Sequence, residues 1–484
     1  MHNRQTTNIA PFDYTDFVSI FGERACENLP KTLKVCGIST DTRTLSAGNC
    51  FIALRGERFD AHSLVREALQ KGAVVALVES REDADIMDEN MPILVVDDTL
   101  RAFGALAHFH RRRFSIPVVA IAGSAGKTTT KEMTARLLDE HFRVLKTEEN
   151  FNNQVGVPLT LLHLTSDHTA AVVEIGTNEP GEIAKLSAIV APTHGIITNI
   201  GKEHLEKLID EDGVEEEETA LFRYLAEHGG TAFINCNDER IRKYGHSGWL
   251  RYVLADEKFD VDIADIKATF VLQAHTHPVL HLTYQPSNLS VEARLQSVGI
   301  TGARNALAAA AVGFGLGMSA EEIQRGLEGF RPETSNAGYG RMVVETRELP
   351  QSRTITILND CYNANPTSMY AALETLQTTA ATRRIALLGD MRELGVASAS
   401  EHDSLVATLQ SASWLTIAIL IGAEMHKAYL RMREQHEIGS KLVYCDTHSE
   451  AAEIIRAEVR TDDVLLVKGS RGIRLEEVLE RLFE

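Results

Sequence analysis

Apolar runs of strand length alternate with helical stretches along most of the chain. Where such a run contains no polar position, both faces of the strand are expected to be buried, which is typical of parallel sheets covered by helices on both sides. Strands are predicted at residues 50–54, 74–78, 92–96, 116–122, 170–175, 195–200, 231–235, 354–358, 384–388, 416–421 and 463–468. The pattern predicts an α/β protein built on doubly wound, mostly parallel sheets.

Helical periodicity and alanine content predict the elements between these strands. Helices are expected at residues 64–71, 127–140 and 303–316, and a further helix is expected to end near residue 109. In residues 260–295 polar and apolar positions alternate instead, which is typical of antiparallel strands with one solvated face. The sequence therefore predicts an inserted antiparallel section, followed by a buried Ala-rich helix.

The 484 residues of the chain are enough for about three domains. We expect a small N-terminal α/β domain at residues 1–110 and a central domain with a doubly wound sheet at 111–330. A C-terminal Rossmann-like α/β domain is expected at 331–484. The boundaries are placed where a new series of alternating strands and helices begins.

The charge balance argues against nucleic acid as a partner. The 49 Lys and Arg residues against 68 Asp and Glu leave a net charge of −19, whereas binding to nucleic acid depends on clustered basic residues. The compact basic cluster at residues 110–113 is too short to reverse this balance. We expect that cluster to be a solvated linker.

Three features predict a cytoplasmic protein with no membrane insertion. The longest mostly apolar stretch, residues 306–318, has about 13 residues, whereas a membrane-spanning helix needs roughly 20. Residues 1–16 are polar and lack the apolar core of an export signal. The six cysteines contain no CxxC pair, and scattered cysteines of this kind are typical of reduced thiols.

A glycine-rich segment joins the predicted strand at 116–122 to the predicted helix at 127–140. It consists of Gly123, Ser124, Ala125, Gly126, Lys127, Thr128 and Thr129. Glycines let the backbone approach a polyphosphate closely, and a helix N-terminus attracts anions. Lys127 can supply positive charge to the β- and γ-phosphates, and the Thr128 hydroxyl can bind Mg²⁺. The segment predicts a P-loop that binds ATP, and a plain structural turn is the alternative.

The short form of this loop, G-x-x-G-K-T, resembles the loop of the Mur ligase superfamily, which are ATP-dependent amide-forming enzymes of peptidoglycan and folate metabolism. Further segments resemble the family in the same order, at residues 150–158, 174–183, 199–206, 305–306, 340–342, 360–366, 389–395 and 468–472. The segment DCYNANP at 360–366 is most similar to the branch that adds D-alanyl-D-alanine to UDP-N-acetylmuramoyl-tripeptide. Segments 41–43 and 60–62 are similar to those that hold the UDP-sugar end.

The resemblance implies an ATP-dependent ligase of cytoplasmic peptidoglycan precursor synthesis. The terminal carboxylate of the tripeptide would attack the γ-phosphate of ATP, and the amine of D-alanyl-D-alanine would then displace phosphate from the resulting acyl phosphate. The N-terminal domain would hold the UDP precursor, the central domain ATP and Mg²⁺, and the C-terminal domain the far side of the nucleotide and the dipeptide. We expect a monomer whose domains close before the reaction.

The resemblance also implies roles for individual residues. The predicted catalytic residues are Lys127, Glu174 and His204, and the predicted Mg²⁺ ligands are Thr128, Glu174, His204 and Glu218. Beyond the loop, the predicted ATP contacts are Asn305, Arg341, Asp360, Tyr362 and Asn365. The predicted substrate contacts are Asp41, Arg43, Asp60, His62, Asn152, Asn153, Lys468 and Arg471. Taken singly, most of these residues could equally be solvated or packed side chains.

Glu218 marks a departure from the family pattern. The family carries a carbamylated lysine about 14 residues after the histidine of its third motif, and in this chain that position is Glu218. We predict that the Glu218 carboxylate replaces the carbamate as an oxygen ligand of a second metal ion. Alternatively, the acidic run that begins at Glu206, with eight Asp or Glu among thirteen residues, is a solvated helix start, or a shift of one residue makes Glu217 the relevant side chain. A milder departure is Arg304, which stands where the family commonly has histidine before Asn305.

Two other functions remain open at the level of sequence. A sister ligase that adds a single amino acid to the same precursor would share the loop, and residues 363–366 weigh against it. A nucleotide-binding scaffold subunit without ligase activity would be compatible with Glu218. The retained Lys127, Glu174 and His204 oppose that reading.

Overall fold

The structure is a computed structural model of the chain. It describes residues 8–484 with the exception of 57–58, 87, 89, 256–263, 272–277, 335–337, 350–352 and 436–440. The fold is α/β, as predicted, and each of its main sheets is mostly parallel.

The N-terminal part contains a small parallel sheet. Its elements are β1 (Phe12–Asp13), α1 (Tyr14–Phe21), β2 (Lys34–Val35), β3 (Ile38–Ser39), β4 (Cys50–Ile52), α2 (Val65–Gln70), β5 (Val75–Val78), β6 (Ile93–Val95) and α3 (Thr99–Arg112). Strands β3, β4, β5 and β6 pair in that order and in parallel. Their apolar runs are short because these strands have only two to four residues each.

The central part carries the largest sheet. Its elements are β7 (Val118–Ala122), α4 (Lys127–Leu138), β8 (Val144–Lys146), α5 (Gly156–Leu161), β9 (Ala170–Glu174), α6 (Glu182–Val190), β10 (His194–Ile197), α7 (Leu205–Leu208), α8 (Glu211–Glu218), α9 (Ala220–His228), β11 (Thr231–Asn235), β12 (Leu250–Leu254), β13 (Ile266–Val271), β14 (Val279–Tyr284), β15 (Leu289–Arg294), α10 (Gly299–Gly315) and α11 (Ala320–Gly329). The strand order is β15-β14-β13-β12-β11-β10-β7-β9-β8.

The position of β7 in this order decides where a ligand can bind. After β7 the chain passes to β8 and β9 on one side and then crosses to β10 on the other. The carboxyl end of β7 is therefore a point where the winding direction reverses, and open α/β sheets bind ligands in the crevice at such a point. All five residues of β7 are buried, which explains the fully apolar run in the sequence.

The inserted antiparallel section is confirmed. Strand β14 pairs antiparallel with both β13 and β15, while β12 pairs parallel with β13. Residues 260–263 and 272–277 of the predicted stretch lie outside the described residues. The Ala-rich helix α10 packs against α4 and against the strands of this sheet, and it is buried along most of its length.

The C-terminal part is a second doubly wound unit. Its elements are β16 (Val343–Leu349), β17 (Arg353–Asp360), α12 (Pro366–Thr378), β18 (Arg384–Gly389), α13 (Ser398–Ser411), β19 (Ile417–Ile421), α14 (Ala423–Gln435), β20 (Leu442–Cys445), α15 (His448–Glu458), β21 (Val464–Lys468) and α16 (Glu476–Phe483). The strand order is β16-β17-β21-β18-β19-β20, and only the edge pair β16–β17 is antiparallel.

The basic cluster at 110–113 is not a solvated linker, so that expectation is wrong. Helix α3 continues to Arg112, and His110 and Arg111 are only 2% and 4% exposed. The Arg111 guanidinium donates hydrogen bonds to the carbonyl oxygens of Val190 and Ala191, both at 3.2 Å. A long cationic side chain at this position satisfies the free carbonyls at the end of α6, which apolar side chains could not do.

No helix in the described part of the chain is long and apolar enough to cross a membrane. All six cysteines are free thiols.

Candidate active site

The loop after β7 requires glycine at two positions. Gly123 has φ +117°, and a Cβ there would lie 2.3 Å from the Thr198 hydroxyl oxygen. Gly126 has φ +80°, and its Cβ would lie 2.9 Å from Asn305 Oδ1. Both positions combine a backbone conformation that favours glycine with a contact too close for any side chain. The loop can therefore turn tightly at the sheet edge and begin α4 at Lys127.

The amide groups of this loop divide into two sets. Those of Ser124 and Ala125 donate to the backbone and side-chain oxygens of Asn199 at 2.9 and 3.1 Å, and that of Gly123 donates to Glu218 Oε2 at 2.8 Å. The first-turn N–H groups of α4 have no intrahelical acceptor, and Gly126 has no side chain with which to cap them. The donors available to an anion are therefore those that open α4, rather than the whole loop.

The Lys127 ammonium group lies among acidic side chains. It donates to the Gly123 carbonyl at 2.5 Å and to Glu203 Oε2 at 3.3 Å. Burial lowers the pKa of Lys127, but the negative charges of Glu203, Glu218 and Glu174 outweigh that effect and leave the pKa above the usual lysine value. Lys127 is therefore a permanent positive charge at the sheet edge.

Glu174 ends β9 beside the loop. Its Oε1 accepts hydrogen bonds from the Thr128 hydroxyl at 3.1 Å and from Asn152 Nδ2 at 2.8 Å. Its Oε2 is buried, has no hydrogen-bond partner among the described residues and lies 3.9 Å from the fully buried Lys131 ammonium. The structure thus brings the predicted residues Thr128, Glu174 and Asn152 together and orients one carboxylate oxygen that no donor occupies.

Two further carboxylates surround Lys127. Glu203 is 3% exposed and Glu218 is fully buried. One oxygen of each, Oε1, has no hydrogen-bond partner within the described ranges. Burial and the nearby charge of Glu203 raise the pKa of Glu218, although Lys127 acts in the opposite direction. Sequence reasoning missed Glu203, and its only signal was its place beside His204.

The end of the acidic run, at residues 215–218 of α8, is not a solvated helix start, whereas Glu206, Asp210 and Asp212 nearer its beginning are exposed. Glu217 accepts hydrogen bonds from the N–H groups of Gly181 and Ile183 at 2.5 and 2.7 Å, so it caps the beginning of α6. Glu216 alone of Glu215 to Glu218 is exposed. Because both oxygens of Glu217 are bound away from the loop, a shift of one residue does not place it at the site. Glu218 is the member of the run that reaches the loop.

His204 stands where the central and C-terminal parts meet. Its backbone is left-handed, with φ +47°, and it precedes α7. Its Nδ1 lies 2.9 Å from Glu393 Oε2, and its Nε2 lies 3.9 Å from Glu203 Oε2. The hydrogen bond with His204 lowers the pKa of Glu393. His204 is 19% exposed, so it is not a free surface histidine.

A cavity of about 330 Å³ joins these groups to the C-terminal part. Asn365, which caps α12, donates through Nδ2 to the Ser124 carbonyl at 3.2 Å. The Arg341 guanidinium lies 3.7 Å from the centre of the Tyr362 ring. The predicted nucleotide contacts Arg341, Tyr362 and Asn365 therefore line the cavity that opens from the loop. The volume of this cavity is typical of ligand sites.

Lys468 and Arg471, which were both predicted as substrate contacts, each have an acidic partner within the protein. Lys468 is 2% exposed and donates to Asp360 Oδ2 at 2.6 Å. Arg471 pairs with Glu476 and lies 4.4 Å from the centre of the Tyr339 ring. Lys468 lines the cavity together with Asp360, but its charge is used to neutralise that carboxylate.

Helix α10 presents a polar edge to the same cavity. Asn305 accepts a hydrogen bond from the Thr130 hydroxyl at 3.3 Å. The hydroxyl groups of Ser297 and Thr301 line the cavity, are buried and have no hydrogen-bond partner in the part of the chain that the structure describes. Sequence reasoning missed these two residues, although the spacing of Thr301 and Asn305 by four residues places them on one helix face.

The remaining predicted substrate contacts lie outside this cavity. Asp41 pairs with Arg43 at 2.6 Å, and Asp60 lies 2.5 Å from Nδ1 of the buried His62. Asn153 accepts hydrogen bonds from two amide groups at the start of α5. The structure brings these N-terminal residues together in pairs, and it does not bring them to the loop.

The side chains predicted as metal ligands do not by themselves form a metal site among the described residues. Among the described residues, no group of three or more His, Cys, Asp or Glu side chains has an arrangement that could hold a metal ion. Thr128 and Glu174 are adjacent, while His204 and Glu218 are linked to them through Glu203 and Lys127. Within the described ranges, one oxygen each of Glu174, Glu203 and Glu218 nevertheless has no hydrogen-bond donor, and all three carboxylates act on the charge of Lys127. Carboxylate oxygens are the ligands that Mg²⁺ prefers.

Three family models match the chain in order. The Mur ligase family, catalytic domain matches residues 34–111, the Mur ligase middle domain matches 121–313, and the Mur ligase, glutamate ligase domain matches 340–471.

Proteins similar over their full length support the same assignment. The UDP-N-acetylmuramoyl-tripeptide–D-alanyl-D-alanine ligase of Treponema pallidum is 34% identical over 91% of this chain and 92% of the relative. A crystal structure of MurF from Acinetobacter baumannii is 29% identical, covers 98% of this chain and 99% of that one, and has a TM-score of 0.82. MurF from Thermotoga maritima in complex with ADP is 25% identical, covers 92% and 96%, and has a TM-score of 0.77.

Proposed function

The chain belongs to the Mur ligase family, and we propose that it joins D-alanyl-D-alanine to the terminal carboxylate of UDP-N-acetylmuramoyl-tripeptide at the expense of ATP. The observation that carries this proposal is the P-loop, because its Lys127 lines a cavity that residues of the C-terminal part also line. Full-length relatives named for this reaction favour it over a sister ligase that adds one amino acid and over a scaffold subunit.

The reaction divides into two steps. An oxygen of the substrate carboxylate attacks the γ-phosphorus of ATP, the bond to the β–γ bridging oxygen breaks, and ADP leaves. The amine of D-alanyl-D-alanine then attacks the carbonyl carbon of the acyl phosphate, inorganic phosphate leaves, and the amine loses a proton. Lys127 and the first-turn amides of α4 supply positive charge where these anions meet.

The residues present fit a Mg²⁺ ion at the loop. The Thr128 hydroxyl and the unoccupied Oε2 of Glu174 would hold it, and the neighbouring Lys131 keeps the Glu174 carboxylate in place. When bound, Mg²⁺ would neutralise charge on the β- and γ-phosphates. Asn152 orients Glu174 by donating to its other oxygen.

We propose that His204 and Glu218 contribute to a second metal position. Glu218 Oε1 lacks a donor within the described residues, and its other oxygen is held by Gly123 N–H. A fixed carboxylate at this position supplies the charge and oxygen atoms of a carbamate with a shorter reach. Glu203 connects this proposed metal position to the P-loop, because its Oε2 lies near both His204 and Lys127.

The Glu218→Gln variant should lower kcat by about tenfold and raise the Mg²⁺ concentration needed for half-maximal rate. The reason is that the amide keeps the size of the side chain but loses the negative charge. The Glu216→Gln variant on the same helix is the matched control, because Glu216 is exposed, and it should behave like the wild type. Equal rates and equal Mg²⁺ titrations for the two variants would remove Glu218 from the site.

We assign the remaining predicted contacts by their position. Asn305 would bind the polar edge of the base together with the hydroxyls of Ser297 and Thr301, which have no hydrogen-bond partner among the described residues. Arg341 and Tyr362 would lie against the nucleotide from the C-terminal side. The residue pairs Asp41–Arg43 and Asp60–His62 remain candidates for binding the UDP end. We propose that the domains span residues 1–110, 111–330 and 331–484.

The docked arrangement of the central and C-terminal parts should be the active one. A Cβ on Gly201 would lie 2.2 Å from the Thr367 hydroxyl oxygen, so Gly201→Ala should separate the two parts and lower kcat by about tenfold. The double variant with Thr367→Ala, which removes that oxygen, should recover most of the rate. A double variant as slow as Gly201→Ala would show that the loss has another cause.

The proposed function is tested by measuring phosphate release in the presence of ATP and UDP-N-acetylmuramoyl-tripeptide. Release should depend on D-alanyl-D-alanine and should produce a stoichiometric amide product by mass spectrometry. Stimulation by a single amino acid instead would identify the sister ligase, and the absence of any amine-dependent release would identify a scaffold. Since the proposed reacting groups all come from one chain, we propose a monomer, and we propose that it acts in the cytoplasm, where the family resemblance places the synthesis of peptidoglycan precursors.

A further inference from the structure

The contact between the central and C-terminal parts passes directly through His204. Glu393, in the loop after β18, lies against it with Oε2 at 2.9 Å from Nδ1. The two residues are 189 positions apart in the sequence. Glu393 also lines the cavity that Lys127 and Glu174 line, and it is not among the predicted catalytic or binding residues.

The imidazole of His204 is held between carboxylates of two different parts. Glu393 faces Nδ1 from the C-terminal part, and Glu203 faces Nε2 from the central part at 3.9 Å. An ionised carboxylate can only accept hydrogen bonds, so the proton of a neutral ring must be on Nδ1. Nε2, which then carries the lone pair, lies 3.9 Å from Glu203 Oε2, and the same oxygen lies 3.3 Å from Lys127 Nζ.

The backbone holds this contact in a specific geometry. His204 and Glu393 both have a left-handed backbone, with φ +47° and +63°. The amide of Glu206 donates to the Glu393 carbonyl at 3.3 Å, and a Cβ on Gly395 would lie 2.9 Å from the Glu206 Cα. Uncommon backbone conformations on both sides of one contact are typical of a site where the surrounding structure imposes an orientation.

We propose that Glu393 is a positioning residue that fixes the tautomer and orientation of His204 across the interface. A ligand histidine commonly donates its second ring N–H to a carboxylate, which sets the tautomer and the direction of the free nitrogen. Here the carboxylate comes from the other part of the protein, so His204 is oriented only where the two parts are docked. The proposal rests on the proposed function, since it assigns His204 a task within that reaction.

A second ion pair across the same interface provides a control. Lys202 Nζ lies 2.6 Å from Glu401 Oε1, and the Lys202 amide donates to the Thr367 hydroxyl at 3.0 Å. Glu401 therefore helps to dock the same two parts but does not touch His204. Its truncation removes an interface ion pair without altering the partner of the imidazole.

The tautomer is measured by ¹⁵N NMR of histidine-labelled free protein at about pH 8.5, two units above the usual histidine pKa. The resonances of His204 are assigned by their absence in His204→Gln. The wild type should carry its proton on Nδ1. In Glu393→Lys, which offers Nδ1 only a donor, the proton should move to Nε2, whereas Glu393→Gln should keep the wild-type tautomer through its carbonyl oxygen.

Turnover supplies the second measurement. Glu393→Ala should lower kcat by about tenfold or more with little change in KM for ATP, and Glu393→Gln should recover most of that loss. Glu401→Ala should keep kcat within about twofold of the wild type and should leave the tautomer unchanged. Because the side chain of Glu393 is 59% exposed, its replacement should not unfold the protein.

Two results would overturn the proposal. One is an unchanged His204 tautomer in Glu393→Lys, and the other is a loss of kcat in Glu401→Ala as large as that in Glu393→Ala. The NMR measurement uses free protein, so it is independent of the substrates. Amine-dependent turnover of the wild type tests the proposed function, and each idea can therefore fail alone.

Discussion

Lys127→Met should lower kcat by about a thousandfold while changing KM for ATP far less. The first-turn amides of α4 remain available to bind the triphosphate, but the positive charge that meets the attacking carboxylate and the γ-phosphate is lost. Removal of one preorganised charge or donor at a developing anion commonly costs this much. The measurement is the rate of phosphate release under saturating ATP, together with the affinity for an ATP analogue.

The acidic surroundings of Lys127 provide an internal control. Without the ammonium group, Glu203 and Glu218 lose their counter-charge, so Lys127→Met should also lower the temperature of unfolding. Adding Glu203→Gln should restore thermal stability but not turnover, which separates folding from chemistry. Lys185→Met, at an exposed position of α6, should match the wild type in both respects. A Lys127→Met enzyme with nearly normal kcat would contradict the assignment of the loop.

Glu174→Gln should lower kcat by more than about a hundredfold at Mg²⁺ concentrations that saturate the wild type. The amide oxygen can still accept the hydrogen bonds from Thr128 and Asn152, so the position of the side chain should be kept. The amide nitrogen, however, would replace Oε2, the buried oxygen that has no donor among the described residues. The expected defect is therefore in metal binding rather than in folding.

The Mg²⁺ dependence of ATP-analogue binding distinguishes these causes. Mg²⁺ should strengthen binding to the wild type and should have little effect on Glu174→Gln. Glu132→Gln removes the same charge beside the same lysine, since Glu132 Oε1 lies 2.9 Å from Lys131 Nζ, and it should retain the Mg²⁺ effect. An identical response of the two variants would mean that Glu174 acts only as a counter-charge for Lys131.

Much of the fold could be predicted because burial leaves a strong local signal. Every apolar run predicted as a strand is a strand, with ends that differ by a few residues, since a parallel strand covered on both faces has only apolar positions. Strands β8, β12 and β20 were missed because they are short or partly exposed. The basic cluster around Arg111 was misread because its partners, the carbonyls at the end of α6, are about 80 residues away.

The candidate site divides in the same way. Lys127, Thr128 and Glu174 could be predicted because Glu174 ends a buried strand, while Lys127 and Thr128 begin the helix that follows the loop after another buried strand. Chain connectivity carries such residues to one sheet edge. Glu203 and Ser297 could not, because the burial of an acidic or hydroxyl side chain depends on distant elements that pack around it. Glu218 was predicted by spacing, but only packing explains why it rather than Glu217 reaches the loop.

The local sequence was enough to predict the classes of structure and chemistry: α/β units in series, a glycine turn that opens a helix at a lysine, and a carboxylate at the end of a buried strand. These properties depend on neighbours along the chain, so the local pattern is sufficient. The packing of distant elements was needed to establish which acids face Lys127 and that Glu393 contacts His204. Those contacts join residues that are distant in the chain, and their energies depend on the water that packing excludes.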